Sequence, residues 1–305
     1  MSSSVPILFL SFNRPEHTRR TLDRIRAAAP TRLYVHCDGP RGDKPNEATH
    51  VAEVREIIKN GVDWDCSVKT LYRDTNFGLR AGVYDAISWF FREEPYGIVL
   101  EDDCLPDLSF FPFCAELLER YADNEQIMHI GCSNLAECFT TNRRESYLFS
   151  RFSFVWGWAS WRRAWERMSV DLEGLDAYTA QHRILDFISD PAAQTYMLDK
   201  FQVTARKENN SWAYAWFYSI LNNNGLCIVP SINLIQNTGV GEAGATHTTG
   251  SNKSAMLEAK TMHFPLRHPN GFTVDPALEK HFFYTSQKSK LRLLLWYVLK
   301  QLGLR

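Results

Sequence analysis

Short apolar runs alternate with amphipathic helical stretches through the first half of this chain, and that alternation narrows the possible folds more than any other feature. Residues 5–12 form an apolar run that stops at Asn13-Arg14-Pro15. A proline in the first helical turn suits the stretch that follows, where Leu22 and Ile25 mark the buried side up to about Ala29. A second strand is expected over 33–37, ended by Asp38-Gly39-Pro40. Val51, Val54, Ile57 and Ile58 then mark a second helix, closed by Asn60-Gly61. Ser67–Tyr72 reads as a strand, 82–91 as a helix, 96–100 as a strand, 108–121 as a helix and Ile127–Gly131 as a strand. Such alternation implies an α/β fold whose mostly parallel central sheet carries helices on both faces. No GxGxxG follows the first strand, which argues against a dinucleotide-binding dehydrogenase, and no GxxxxGK(S/T) phosphate loop is present.

The second half changes character. Residues 152–165 are dense in Trp and Phe, 172–196 look helical, 212–221 form another aromatic segment and 227–235 are strand-like. The Gly- and Thr-rich stretch 239–250 has the composition of a mobile lid or binding loop. Nine Trp residues supply rings that bury well and that also stack on sugar faces. A net charge of −1 argues against a general nucleic-acid binder, which needs an excess of basic groups to displace counterions. Seven Cys residues lie scattered without a CxxC pair, the usage expected of reduced core cysteines in a cytoplasmic protein, and their spacing holds no zinc site. The N-terminus lacks the basic region of a signal peptide and reads as a first strand, and no stretch reaches the length of a membrane span.

Glu101-Asp102-Asp103 closes the apolar stretch 96–100. Three consecutive carboxylates repel one another, and a strand end gives the backbone no reason to collect them. A divalent cation, Mn²⁺ or Mg²⁺, removes that repulsion and holds a polyphosphate against the protein at the same time. In an extended segment side chains alternate, so Glu101 and Asp103 are expected on one face and Asp102 on the other. An acidic, solvated loop is the alternative. Position favours a site, because ligands of α/β sheets gather at the carboxyl ends of strands. Asn13, Arg14 and Asp38 occupy other strand ends, and Arg80 follows in Asn76-Phe77-Gly78-Leu79-Arg80. Together they offer a cation, a base-reading carboxylate and a metal site.

This set resembles the GT-A nucleotide-sugar glycosyltransferases, and within them the N-acetylglucosaminyltransferase I type and its bacterial relatives, whose DxD-type metal motif is written EDD. The resemblance covers residues 5 to about 249 and is best over 7–15, 98–106 and 154–165. It implies a GT-A domain over 1–285, with a nucleotide-binding half (1–132) and an acceptor and donor-sugar half (133–285), and a separate basic helix over 286–305. It also implies metal-dependent hexosyl or N-acetylhexosaminyl transfer, with inversion, from a UDP-linked donor to a glycan, lipid-linked or other hydroxyl acceptor. Carried over residue by residue, Phe12, Asn13 and Arg14 contact the nucleotide, Asp38 faces the uracil or ribose, and Arg80 pairs with the diphosphate. Glu101 and Asp102 lie near ribose and metal-bound water, and Asp103 ligates the metal. His247, in Gly244-Ala245-Thr246-His247-Thr248, stands where several relatives place a histidine on the metal or diphosphate. The stretch 154–161 resembles the family's aromatic segment beside the donor sugar, with Gly157 allowing close approach and Trp156 and Trp158 as walls.

One element of the pattern is absent. Where the family places an acidic general base in an aromatic segment, this chain reads Trp212-Ala213-Tyr214-Ala215-Trp216. An inverting transfer needs a base within reach of the acceptor hydroxyl. Glu208 is the nearest replacement, ahead of Asp199 and Asp186. The missing acid motivates a rival reading, a non-catalytic nucleotide-sugar or glycan-binding protein on the same fold. A metal-dependent phosphohydrolase would need a second ligand cluster that the sequence lacks. The segment 287–305 sets Lys288, Lys290, Arg292, Lys300 and Arg305 among Leu291, Leu294, Leu295, Trp296, Val298 and Leu299. That is a basic amphipathic helix with an interfacial Trp. It either packs back on the domain or docks on an anionic inner leaflet, where each basic residue contributes on the order of 1 kcal/mol.

Overall fold

A computed structural model describes residues 5–140, 142–239 and 257–304. The first half follows the expected alternation: β1 (Ile7–Ser11), α1 (Pro15–Ala28), β2 (Arg32–Cys37), α2 (Glu47–Gly61), β3 (Ser67–Tyr72), α3 (Leu79–Glu93) and β4 (Tyr96–Glu101). A short β5 (Cys104–Pro106), α4 (Phe110–Arg120) and β6 (Ile127–Gly131) come next. The second half contains β7 (Tyr147–Ser150), β8 (Trp158–Trp161), α5 (Arg162–Trp165), α6 (Leu175–Ala180), α7 (Pro191–Ala205), α8 (Ala213–Asn222), β9 (Leu226–Pro230), β10 (Ile235–Asn237), α9 (Pro276–Ser286) and α10 (Lys290–Gln301).

Eight strands form one sheet in the order β3-β2-β1-β4-β8-β6-β9-β7. β1 to β4 are parallel and β6 is parallel to β9, while β8 runs against both its neighbours and β7 runs against β9 at the edge. The architecture is the mostly parallel α/β sheet expected of a GT-A fold. β1 is buried on both faces, as parallel strands are: Ile7 and Phe9 pack with α1, α2 and α4, and Leu8 and Leu10 with α3 and α8. α1 stops at Ala29, which takes a left-handed conformation (φ 44°) before Pro30.

A second cluster, rich in Phe, joins α6 through α10 to the far side of the sheet. α8 belongs to both clusters: Trp216 and Ile220 face the sheet, while Phe217 and Tyr218 face the outer helices. The single helix expected over 172–196 is instead broken. Leu172, Gly174 and His182 adopt positive φ, and α7 begins only where Asp190 caps it by accepting from the amides of Ala192 (2.9 Å) and Ala193 (3.2 Å). The strand expected over 227–235 divides into β9 and β10, and β10 pairs with β5 in a separate two-stranded ribbon. At the C-terminus Trp296 is not interfacial: its ring is buried against Tyr196 of α7 at 5.1 Å.

Trp158 also departs from expectation. As the first residue of β8 it is 1% exposed, stacked on the His129 ring at 5.1 Å and surrounded by Trp165, Trp212 and Trp216. It is core, not a wall of a sugar site. His129 is held there neutral, its pKa pushed by burial down to about 4; Trp216 Nε1 donates to its Nδ1 (3.2 Å) and its Nε2 donates to the Phe154 carbonyl (3.0 Å). Trp158→Ala is expected to cost about 3–5 kcal/mol in urea unfolding. Trp158→Phe should recover most of that stability and leave nucleotide binding unchanged in titration calorimetry.

Candidate functional site

The carboxyl ends of β1, β2, β4 and β6 lie along one edge of the sheet. β8, running the other way, begins at that edge, with Trp158 paired to Val99. Residues 12–14, 38, 101–103, 132–133 and 156–157 are therefore delivered to the same side.

Asp102 and Asp103 do not point to opposite faces. β4 ends at Glu101 and the next two residues form a turn before β5, so both carboxylates converge on Arg14. Arg14 Nη2 donates to Asp102 Oδ1, and Nη1 donates to Asp103 Oδ2 at 3.0 Å. The turn is held from two sides. Thr21 Oγ1 donates to the carbonyls of Asp102 (2.7 Å) and Cys104 (3.2 Å), and the Thr238 amide donates to the Asp103 carbonyl (2.8 Å). Asn237 Nδ2 approaches Asp103 Oδ1 at 3.4 Å. Gly239 then passes so close that a β-carbon there would overlap both Asp103 Oδ2 and Arg14 Nη1.

One guanidinium faces three acidic groups, and burial holds two of them above their usual range. Burial, followed by Asp103 and Asp102, pushes the Glu101 pKa up to about 8. Burial raises Asp102 to about 6, with Arg14 pulling the other way. For Arg14 itself burial acts to lower the pKa, but Asp102 and Asp103 overcome it and the net direction is up. Asp102 Oδ2 is buried without a hydrogen-bond partner. A surplus of buried acid with an orphaned oxygen suits a divalent cation. Among the described residues no three His, Cys, Asp or Glu side chains are grouped to hold one, so the chain would provide Asp102 and Asp103, and bound phosphate the other ligands. His247 lies outside the described residues.

The other expected site residues have varied fates. Phe12 lies under the Arg41 guanidinium at 5.5 Å, and Asn13 Nδ2 donates to Glu47 Oε1 at 2.8 Å. The Asp38 carboxylate accepts from the amides of Gly39, Phe77 and Gly78 and from Asn76 Nδ2, at 2.9–3.1 Å, and so fixes the loop leading into α3. Arg80 requires correction. Its guanidinium donates to the carbonyls of Thr204 (2.7 Å) and Val170 and to Asp171 (3.1 Å), bracing α3 against the second half instead of standing free for a diphosphate. Glu208 also requires correction: it is solvent-exposed, chelated by Arg206 at 2.6 and 3.2 Å, and its pKa is lowered by that contact, the wrong direction for a general base. Of the weaker substitutes, Asp199 is ion-paired with Lys300 and Asp186 is exposed. Gly157 (φ 56°) is required by its neighbours, since a β-carbon would meet Ile235 at 2.6 Å and Leu100 at 3.3 Å; it serves packing and not ligand approach.

A cavity of about 170 Å³ adjoins this edge, lined by Ser133, Ser153, Trp156, Ala213, Tyr214 and Gln287 among others. The hydroxyls of Ser133 and Ser153 are buried without partners, and Tyr214 Oη donates to Gln287 Oε1 at 2.9 Å. Trp156, unlike Trp158, is only partly buried. Of these lining residues the sequence drew attention to Trp156, and to Ala213 for its lack of an acid, whereas spacing and periodicity carry no signal for Ser133, Ser153 or Gln287.

Fold and site together define an α/β protein with a cluster of charged side chains at the carboxyl edge of its sheet. No family model matches the chain, and no curated protein matches it. Among solved structures it is similar to HddC from Yersinia pseudotuberculosis, at 14% identity over 43% of this chain and 59% of that one (TM-score 0.29). It is also similar to a UDP-glucose pyrophosphorylase complexed with UDP-glucose (9% identity, 78% and 93% of the two chains, TM-score 0.38) and to mouse xyloside xylosyltransferase 1 (14%, 72% and 82%, TM-score 0.33). At such scores these likenesses carry no argument about this chain.

Arg14→Ala strands two adjacent carboxylates, and is expected to cost roughly 3 kcal/mol in chemical unfolding. Added Mn²⁺ should restore part of that loss, whereas it should restore none in Arg14→Ala/Asp102→Ala/Asp103→Ala. Raised carboxyl pKa values also fix the sign of a pH effect. Glu101 holds a proton when folded that it releases when unfolded, so its stabilising contribution is complete below its usual value of 4.5 and is lost as pH rises toward about 8. Between pH 6.5 and 8, above the range where buried His36 and His129 act in the opposite sense, the melting temperature should fall, and Glu101→Gln should flatten that slope.

Proposed function

We propose that this protein is a nucleotide-sugar-dependent glycosyltransferase that takes a sugar from a UDP-linked donor to a glycan or other hydroxyl acceptor. The clamp of Arg14 on Asp102 and Asp103, with its surplus acid and orphaned oxygen, carries the reading. It stands at the strand ends, where the first βα connection and the β4–β5 turn meet. Arg14 donors can turn from carboxylate to the β-phosphate of an arriving donor, a charge-assisted contact that places the leaving group against a fixed cation. A divalent cation on Asp102 and Asp103 would take up charge on the departing diphosphate.

The adjoining cavity suits a sugar ring. Ser133 and Ser153 offer hydroxyls with unused hydrogen-bonding capacity, and Trp156 offers a partly exposed aromatic face for the apolar side of a pyranose. Tyr214 and Phe217 line the cavity as well. Ala213 lines the same cavity and contributes only a methyl group where the resembled family has an acid. That observation favours a second reading, a nucleotide-sugar-binding protein without turnover.

Titration calorimetry of UDP with and without Mn²⁺ tests the first reading. The metal should tighten binding about tenfold or more, and Asp103→Ala should abolish the difference. Equal heats in the two titrations would overturn it. Release of UDP from a panel of UDP-sugars distinguishes enzyme from binder: sustained release eliminates the binding-only reading.

A further inference from the structure

α10 joins the rest of the molecule along one side only. Leu293 and Trp296 are buried, the latter against Tyr196, and Lys300 is ion-paired with Asp199. The other side presents Leu291, Leu294, Leu295 and Val298, with Leu302 just beyond the helix end, at 80, 56, 61, 46 and 65% exposure. At about 100° per residue these five positions fall in a single stripe roughly opposite the packed one. Other exposed large apolar side chains, such as Val68, Phe77 and Leu185, are scattered along the chain. A contiguous aliphatic stripe of this kind marks a docking surface.

Charge identifies what docks. Lys290 and Arg292, both exposed, flank the stripe on either side. The segment 287–305 holds five basic residues and no Asp or Glu, in a chain whose net charge is −1, so basic charge is concentrated here while the remainder is net acidic. Pairing of this stripe with a second copy would bring basic flanks together with no acid in the segment to answer them. An anionic bilayer satisfies both features, its acyl region taking the leucines and its headgroups the Lys and Arg. We propose that α10 docks this protein on an anionic lipid surface, lying in the interfacial plane with the stripe from Leu291 to Leu302 facing the acyl chains.

The docking helix begins close to the cavity described above. Gln287, three residues before α10, lines that cavity and accepts from Tyr214 Oη at 2.9 Å. On the glycosyltransferase reading, a hydroxyl acceptor carried on a lipid would therefore be presented beside the sugar site. Docking itself does not depend on that reading.

Co-sedimentation of the full chain with vesicles of phosphatidylcholine, alone or mixed with phosphatidylglycerol, tests the proposal. The protein should pellet with the anionic vesicles, remain in solution with the neutral ones and be released by salt. Leu291→Glu/Leu295→Glu and Lys290→Glu/Arg292→Glu change only exposed positions and should each lower the bound fraction by about tenfold, with unfolding in urea unchanged. Failure to pellet with anionic vesicles, or undiminished binding by both variants, would overturn docking. So would a solution dimer that Leu291→Glu/Leu295→Glu splits while vesicle binding is absent, because the stripe would then be an interface between copies. UDP titrations on the same variants should match the parent chain, so loss of docking and failure of the nucleotide-sugar reading give different patterns.

Discussion

Neutralisation of the paired carboxylates of Asp102 and Asp103 by Arg14 is the interaction on which the carboxyl edge depends. Two acids side by side in a turn repel each other, and a largely buried turn leaves little water to screen them. Arg14 comes from the link between β1 and α1, the acids from the link between β4 and β5, and the residues that secure the turn from α1 and from the end of β10. Four parts of the chain are thus ordered around one guanidinium. Burial still holds Glu101 and Asp102 above their usual range, against the pull of Arg14. A structure stabilised for its own sake would replace such a cluster with apolar groups, which fill buried space at less cost. An acid surplus at a strand end is the imbalance that the proposed divalent cation would complete.

The reversed strand explains why a cavity of about 170 Å³ adjoins that cluster. Because β8 runs against β4 and β6, the segment entering it crosses the carboxyl edge, and it brings Ser153, Val155 and Trp156 to a place that a parallel strand would have left to a helix. Gly157 lets the chain turn down into the sheet beside Leu100 and Ile235. One residue later Trp158 is already interior, stacked on His129. Two tryptophans separated by a single glycine thus have different fates: the first lines the cavity and the second fills the core.

That difference also shows what the sequence could and could not disclose. Periodicity located the elements of the parallel half, because strands buried on both faces read as unbroken apolar runs and their helices as clear amphipathic ones. It failed for β7 and β8, four residues each, whose aromatic composition resembles that of the helices around them. Trp156 and Trp158 carry the same local signal, so their separation could come only from tertiary packing. Arg80 and Glu208 were misread for a related reason. A charged side chain beside a motif looks available until its partners are known, and those partners, Thr204, Val170 and Asp171 for one and Arg206 for the other, follow no fixed spacing that a motif would reveal. The acidic trio was legible because adjacent charges are unfavourable whatever the fold, although its alternating faces were not, since the strand gives way to a turn one residue after Glu101.

Ala213 bears directly on how an acceptor would be activated. A methyl group on the cavity wall leaves acceptor activation without a carboxylate at that position, and Glu208 is too exposed and too well paired to replace it. If transfer occurs, a proton acceptor must come with the substrates or from another residue close to the cavity, and the leaving diphosphate held by Arg14 is a base that donor binding itself would introduce. Such a device favours reaction on the same side of the sugar as the leaving group. The missing acid therefore weighs against inversion before it weighs against activity, and it makes the stereochemistry of the product the observation that would say most about how this edge works.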